Sequence, residues 1–120
     1  MVRAESIALL GGVLYFVDER GRLCSIKEEG VVTECDEPME PAAICAGVGG
    51  CGNYRIFIAD SKDKTLKVFD PLNRRLDTLA GLPGRPSGLA KEECRLAVSL
   101  GDEILFFDLK TLQTVERIKV

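Results

Sequence analysis

Histidine is absent from the 120 residues. That removes the usual general base and the commonest metal ligand, and with them the Ser-His-Asp triads and most zinc enzymes. Amides are scarce: Gln113 is the sole glutamine, and Asn53 and Asn73 are the sole asparagines. A shortage of these thermolabile side chains is one mark of hyperthermophile proteins. There is no excess of positive charge either. The formal net charge is -3 with the signs interspersed, and the pairs Arg74-Arg75 and Lys62/Lys64 are too short to follow a phosphate backbone, which argues against a nucleic-acid partner. The apolar run Ser6 to Val17 is broken by Gly11-Gly12, follows Glu5, has no small-x-small cleavage site and is far below the roughly 20 residues of a membrane span. The expectation is a chain without a membrane partner, cytoplasmic and unprocessed. No segment keeps a 3.6-residue period between caps, so no long helix is expected.

What the chain has instead is repetition. Tyr54 to Asp70 contains two apolar runs, Ile56 to Ala59 and Leu66 to Phe69, around the polar breaker Asp60 to Lys64, which is the pattern of strand, turn and strand. Leu14 to Ile26 and Arg95 to Asp108 repeat it with a period of about 40 residues, in the range of propeller blades. Each repeat yields four strands. The first offers Ser6–Leu10, Val13–Val17, Arg22–Lys27 and Val31–Cys35, and the second Ala42–Ala46, Tyr54–Ala59, Thr65–Asp70 and Arg75–Ala80. The third offers Ser87–Ala90, Arg95–Leu100, Glu103–Asp108 and Thr114–Val120, with Gly101-Asp102 as a two-residue hairpin loop. The proline-bearing segments Asp36 to Pro41 and Gly81 to Pro86 separate the repeats, because proline cannot donate to a ladder. The boundaries fall near residues 1–38, 39–83 and 84–120 of a single domain. Runs such as Ile104-Leu105-Phe106-Phe107 are apolar on consecutive residues, as in strands buried on both faces. With no helices to cover them, such sheets must stack on other sheets, which favours radial repetition.

The stretch GLPGRPSGLA (Gly81 to Ala90) followed by RLAVS, EILFFDLKT and TVERIKV resembles one blade of the six-bladed propellers of the NHL, YVTN and SMP-30 gluconolactonase kind. PMEPAAICA, YRIFIAD, LKVFDPLN and RRLDTLA resemble another blade, and the N-terminal third is a weaker copy. The fold expected is therefore all-β, three four-stranded antiparallel propeller-type blades forming half of a six-bladed β-propeller. The resemblance specifies a blade and not an activity. In gluconolactonase-like propellers a Glu, an Asn and an Asp near the channel hold a divalent metal, and the nearest analogues in this chain are Glu5, Asn53 and Asp60. No motif around them matches, so no catalytic, cofactor-binding or metal-binding residue is assigned and no cofactor is expected.

Other candidates have bland readings. Gly47 to Gly52 spells G-x-G-x-x-G after a strand, but the dinucleotide fingerprint needs a helix opening at the last glycine, and a strand follows instead, so a flexible loop is expected. Asp18, Asp60, Asp70 and Asp108 end equivalent strands, which suits turn capping better than a single asymmetric active site. Asp36, Glu37 and Glu40 match no calcium loop and read as a solvated linker. Five cysteines, Cys24, Cys35, Cys45, Cys51 and Cys94, suit a secreted protein or a hyperthermophile cytosol, and no C-x-x-C pair is among them. A two-residue loop at Glu29-Gly30 pairs Glu28 with Val31 and sets Cys24 opposite Cys35, the candidate disulfide; a three-residue loop shifts that register and leaves the thiols diagonal.

Three blades cannot close a ring, since propellers need at least four. The function expected is a non-enzymatic interaction or scaffold module that closes by homodimerisation and binds a protein or small-molecule ligand on its loops or channel face. The alternatives are a gluconolactonase-like metal-dependent hydrolase with its site at the shared channel, and a structural subunit of a larger complex.

Overall fold

The computed structural model describes residues 2–37 and 39–120, with side chains for all of these except residues 2–6, 41 and 42. Twelve strands follow one another: β1 (Val2–Leu10), β2 (Val13–Asp18), β3 (Leu23–Lys27), β4 (Gly30–Cys35), β5 (Pro41–Gly47), β6 (Arg55–Asp60), β7 (Thr65–Asp70), β8 (Arg75–Gly81), β9 (Gly88–Glu92), β10 (Arg95–Ser99), β11 (Glu103–Asp108) and β12 (Gln113–Lys119). They form three four-stranded sheets, β1 to β4, β5 to β8 and β9 to β12, each a meander in chain order, and every ladder is antiparallel. No helix occurs among the described residues. The expected strands are all present; β1 starts earlier than expected, at Val2, and Pro41 opens β5, the strand position where proline is tolerated.

The first strands of the sheets, β1, β5 and β9, lie side by side, and the sheets stack with the middle one enclosed. Alternation along β6 explains its burial from Ile56 to Asp60. Ile56 and Ile58 pack against Leu10, Tyr15, Val17 and Leu23 of the first sheet, with Ile44 and Phe69 beside them. Phe57 and Ala59 face the other way, with Leu66, onto Leu96, Val98 and Phe107 of the third sheet. Each such fully buried large side chain contributes roughly 1.5–3 kcal/mol over leaving it in water, so the two intersheet layers are the principal source of stability.

The hairpins reuse one turn. Asp60 pairs with Thr65, Asp70 with Arg75 and Asp108 with Gln113, each pair closing a four-residue loop. The last loop residue is left-handed every time, Lys64 at φ +57°, Arg74 at +53° and Leu112 at +59°. The leading Asp carboxylate accepts the backbone N–H two residues on: Lys62 at 3.0 Å, Leu72 at 3.0 Å and Lys110 at 2.7 Å. In the first sheet Asp18 does the same for Arg20 and Arg22, both at 2.9 Å. The recurring aspartates are turn caps.

Two cysteine expectations are corrected. The turn of the β3–β4 hairpin is centred on Glu28-Glu29 and not on Glu29-Gly30, since Lys27 pairs with Gly30. That shift sets Cys24 opposite Thr33, and a bulge then sets Cys35 opposite Leu23. Cys24 and Cys35 are free thiols. The disulfide joins Cys51 to Cys94, with Cα atoms 4.8 Å apart. It ties the β5–β6 loop to the β9–β10 turn, so the glycine-rich loop expected to be flexible is fastened to the third sheet. Lys91 Nζ also donates to the Gly49 carbonyl at 2.9 Å. Gly50 (φ +59°) lies so close that an added Cβ would meet the Glu93 backbone at 2.6 Å.

Because the disulfide closes a span of 43 residues, its removal should cost up to about 4 kcal/mol by the chain-entropy description. Urea unfolding of Cys51→Ser/Cys94→Ser against the oxidised parent measures this, and an unchanged midpoint would show that the clasp does not stabilise the stack.

Candidate functional site

The outer sheets each keep one face that no other sheet covers. On the first sheet the ladder aligns Leu9, Leu14, Ile26 and Val31 in one cross-strand row and Ile7, Phe16, Cys24 and Thr33 in the next. Phe16 and Cys24 are buried, but Ile7 is 49% exposed, Leu9 67%, Ile26 43% and Val31 65%. Apolar side chains gathered on one sheet face, rather than scattered singly, mark an interaction surface.

The uncovered face of the third sheet is more polar. Its rows run Ala90, Ala97, Phe106, Glu116 and, beside it, Ile104, Ile118. A cavity of about 340 Å³ opens there, lined by Ala90, Lys91, Glu92, Arg95, Ala97 and Phe106. The Arg95 guanidinium lies 4.6 Å from the Phe106 ring centroid and 3.7 Å from a Glu116 carboxylate oxygen, so a stacked cation forms the rim.

The residues singled out as metal analogues are not brought together. Asn53 and Asp60 lie at opposite ends of β6, and the side chain of Glu5 lies outside the described residues. Asn53 Oδ1 accepts the Gly49 N–H at 2.8 Å, inside its own loop. Asp36, Glu37 and Glu40 are exposed, and among the described residues no three His, Cys, Asp or Glu side chains gather. The Gly47 to Gly52 loop runs through a turn into β6 without opening a helix, so it lacks the helix N-terminus that would carry a pyrophosphate.

Two buried charge clusters escaped the sequence. Lys67 is buried and donates to Asp60 Oδ2 at 2.9 Å, Asp63 Oδ2 at 2.8 Å and Thr65 Oγ1 at 2.8 Å. Glu34, also buried, accepts from Ser25 Oγ at 2.9 Å and pairs with Lys27 at 3.1 Å and Arg74 at 3.3 Å. The signal for the first was a lysine inside the apolar run Leu66 to Phe69, near a strand-ending Asp. Both clusters are satisfied internally, and no buried side-chain nitrogen or oxygen among the described residues lacks a partner. Burial pushes the Cys45 thiol up to about 11 and raises Cys24 as well, where the Asp18 charge adds to it. Both therefore stay protonated at neutral pH, and a thiolate is the reactive form.

No protein-family model matches the chain, and no curated protein matches it in sequence. Solved structures do match in fold. A chain of the crystal structure of a nidogen/laminin complex superposes with a TM-score of 0.73 at 14% identity, over 91% of this chain and 43% of that one. A chain of the crystal structure of the mitotic checkpoint complex superposes with a TM-score of 0.74 at 14% identity, over 97% of this chain and 36% of that one. These neighbours are propeller-type folds, and the three sheets are propeller-type blades. The chain spans less than half the length of either neighbour.

Asp60 serves both as a turn cap and as the buried partner of Lys67, whereas Asp108 only caps. Asp60→Ala should therefore cost about 3 kcal/mol, as expected when a buried pair loses one member, and Asp108→Ala about 1 kcal/mol; equal losses by chemical denaturation would refute the distinction. The lowered carboxylates set the acid limit. Hydrogen bonds from Lys67 hold Asp63 below its ordinary value, and hydrogen bonds from Asn73 do so for Asp70. For Asp18, burial pushes upward but is outweighed by hydrogen bonds from Arg22 and Arg20. Groups with depressed folded values add stability that is complete above their unfolded value, about 4 for Asp, and is lost as pH falls through the folded values. Burial pushes Lys67 down, but its bonds to Asp60 and Asp63 outweigh this and raise it, so its contribution is complete below its ordinary value and lost only as pH rises through the raised one. The melting temperature should hold across neutral pH and fall below about pH 4, less steeply in Asp63→Asn.

Proposed function

We propose that this chain is a non-enzymatic interaction and scaffold module, half of a six-bladed propeller that closes by pairing head to tail with a second copy. The observation that carries this is the pair of uncovered blade faces at the two ends of the stack, one with Ile7, Leu9, Ile26 and Val31 in water. Two three-blade arcs related by a two-fold along the channel cover both faces with two identical contacts, the way a head-to-tail interface closes. The solved neighbours are propeller folds found in protein complexes, which supports a binding role. A cytoplasmic setting goes with this reading: scarce amides and an intracellular disulfide occur together in hyperthermophile proteins.

Light scattering and sedimentation equilibrium in the micromolar range test the assembly. The expected mass is twice the 13.1 kDa of the chain; a monomer at every concentration would overturn the reading. Metal analysis and lactone or ester turnover on the same sample should both be at background, and a stoichiometric metal with turnover would establish the hydrolase instead.

A further inference from the structure

The contact that closes the ring can be assigned residue by residue, because the chain contains two completed copies of it. In each completed contact a large side chain on the second strand of one blade lies against the first strand of the next. In the first blade it is Tyr15, paired across the ladder with Ala8, and in the second it is Phe57, paired with Cys45. Both aromatic rings are buried between blades, Tyr15 at 3% exposure and Phe57 at 1%. The equivalent residue of the third blade is Ala97, paired with Ala90. Its neighbours Arg95 and Leu96 correspond in register to Arg55 and Ile56. Where the second strands of the other blades carry an aromatic ring, this one carries a methyl group, with the aromatic of the row one strand further on at Phe106, and a cavity of about 340 Å³ opens over Ala90 and Ala97.

The facing position follows from the same register. On the first strand of the next blade it is Ala46, paired with Ile56, or Lys91, paired with Leu96. Ala46 packs in the same cluster as Tyr15, and Lys91 Nζ stands 5.9 Å from the Phe57 ring centroid. The same register position in the first blade is Leu9, paired with Leu14. Leu9 is 67% exposed, an apolar knob on the uncovered face. The back residues Tyr15 and Phe57 thus have Ala46 and Lys91 at the facing register position, and the same two positions on the open faces are Ala97 at the back of the third blade and Leu9 at the front of the first.

The geometry points to Leu9 of one copy seated in the Ala90–Ala97 cavity of the other, under the rim formed by Arg95 and Phe106, as the contact that closes the ring. This rests on the pairing of two copies proposed above. It goes further in naming the knob and the socket, and in giving a reason for the small side chain of Ala97: a ring there would fill the socket that receives Leu9.

Ala97→Phe restores the aromatic pattern of the other blades and fills the socket, and Leu9→Asp places a charge on the knob. Both changes are on uncovered faces, so circular dichroism of each diluted variant should match the parent. Sedimentation should show dimer dissociation about tenfold stronger in each, since overpacking and a buried charge each cost on the order of the 1.4 kcal/mol that tenfold represents. The double variant Leu9→Ala/Ala97→Phe recreates the arrangement of Tyr15 over Ala46 and should recover dimerisation. If the parent dimerises and either single variant leaves its dissociation constant unchanged, the knob and socket are wrong while the dimer stands. If Ala97→Phe dissociates the dimer and the double variant does not restore it, Leu9 is not the residue that fills the cavity. A monomeric parent overturns the contact and the dimer together.

Discussion

A β-sheet built from strands that are apolar on successive residues has two faces to hide, and in a chain without helices only other sheets can hide them. That constraint organises the molecule. β6 meets it completely, with Ile56 and Ile58 against the first sheet and Phe57 and Ala59 against the third. The disulfide between Cys51 and Cys94 and the Lys91 to Gly49 hydrogen bond then fasten the ends of the second and third blades together. The same constraint is unmet on the outer face of the first sheet, where Ile7, Leu9, Ile26 and Val31 stand in water.

The buried charges fit this picture. Lys67 and Glu34 are enclosed where blades and turns meet, and each is surrounded by partners that use its hydrogen-bonding capacity. A buried ion pair adds little net stability over an apolar substitute, yet it penalises arrangements that separate its members. Arg74, reaching from the β7–β8 turn to Glu34 and the Thr33 carbonyl, helps set the first blade against the second. These clusters hold the scaffold in one arrangement.

Blade-to-blade contacts in a repeat array are nearest-neighbour interactions, so a chain with two of them displays the rules for a third. Here the two internal contacts set Ala46 and Lys91 at the register position facing Tyr15 and Phe57. The same positions on the open faces are Leu9 and Ala97, 88 residues apart, a relation that no local pattern would single out.

The strands, their order and the aspartate-led turns were legible in the sequence because they rest on local chemistry: apolar runs of strand length, prolines that stop ladders, and carboxylates that cap the turn two residues on. The glycine-rich loop was rightly denied a helix on the same grounds. Cysteine pairing was not legible. A turn centred one residue earlier and a bulge at β4 moved Cys24 and Cys35 out of alignment, and Cys51 met Cys94 only because two blades stack. Nor was the burial of Glu34, since Arg74 reaches it from the next blade, whereas Lys67 and its partners Asp60, Asp63 and Thr65 lie in one local stretch. Local sequence determined where each strand runs and where it turns. Packing between sheets decided which side chains meet, because those distances depend on register and stacking, which belong to the whole fold and to no single segment.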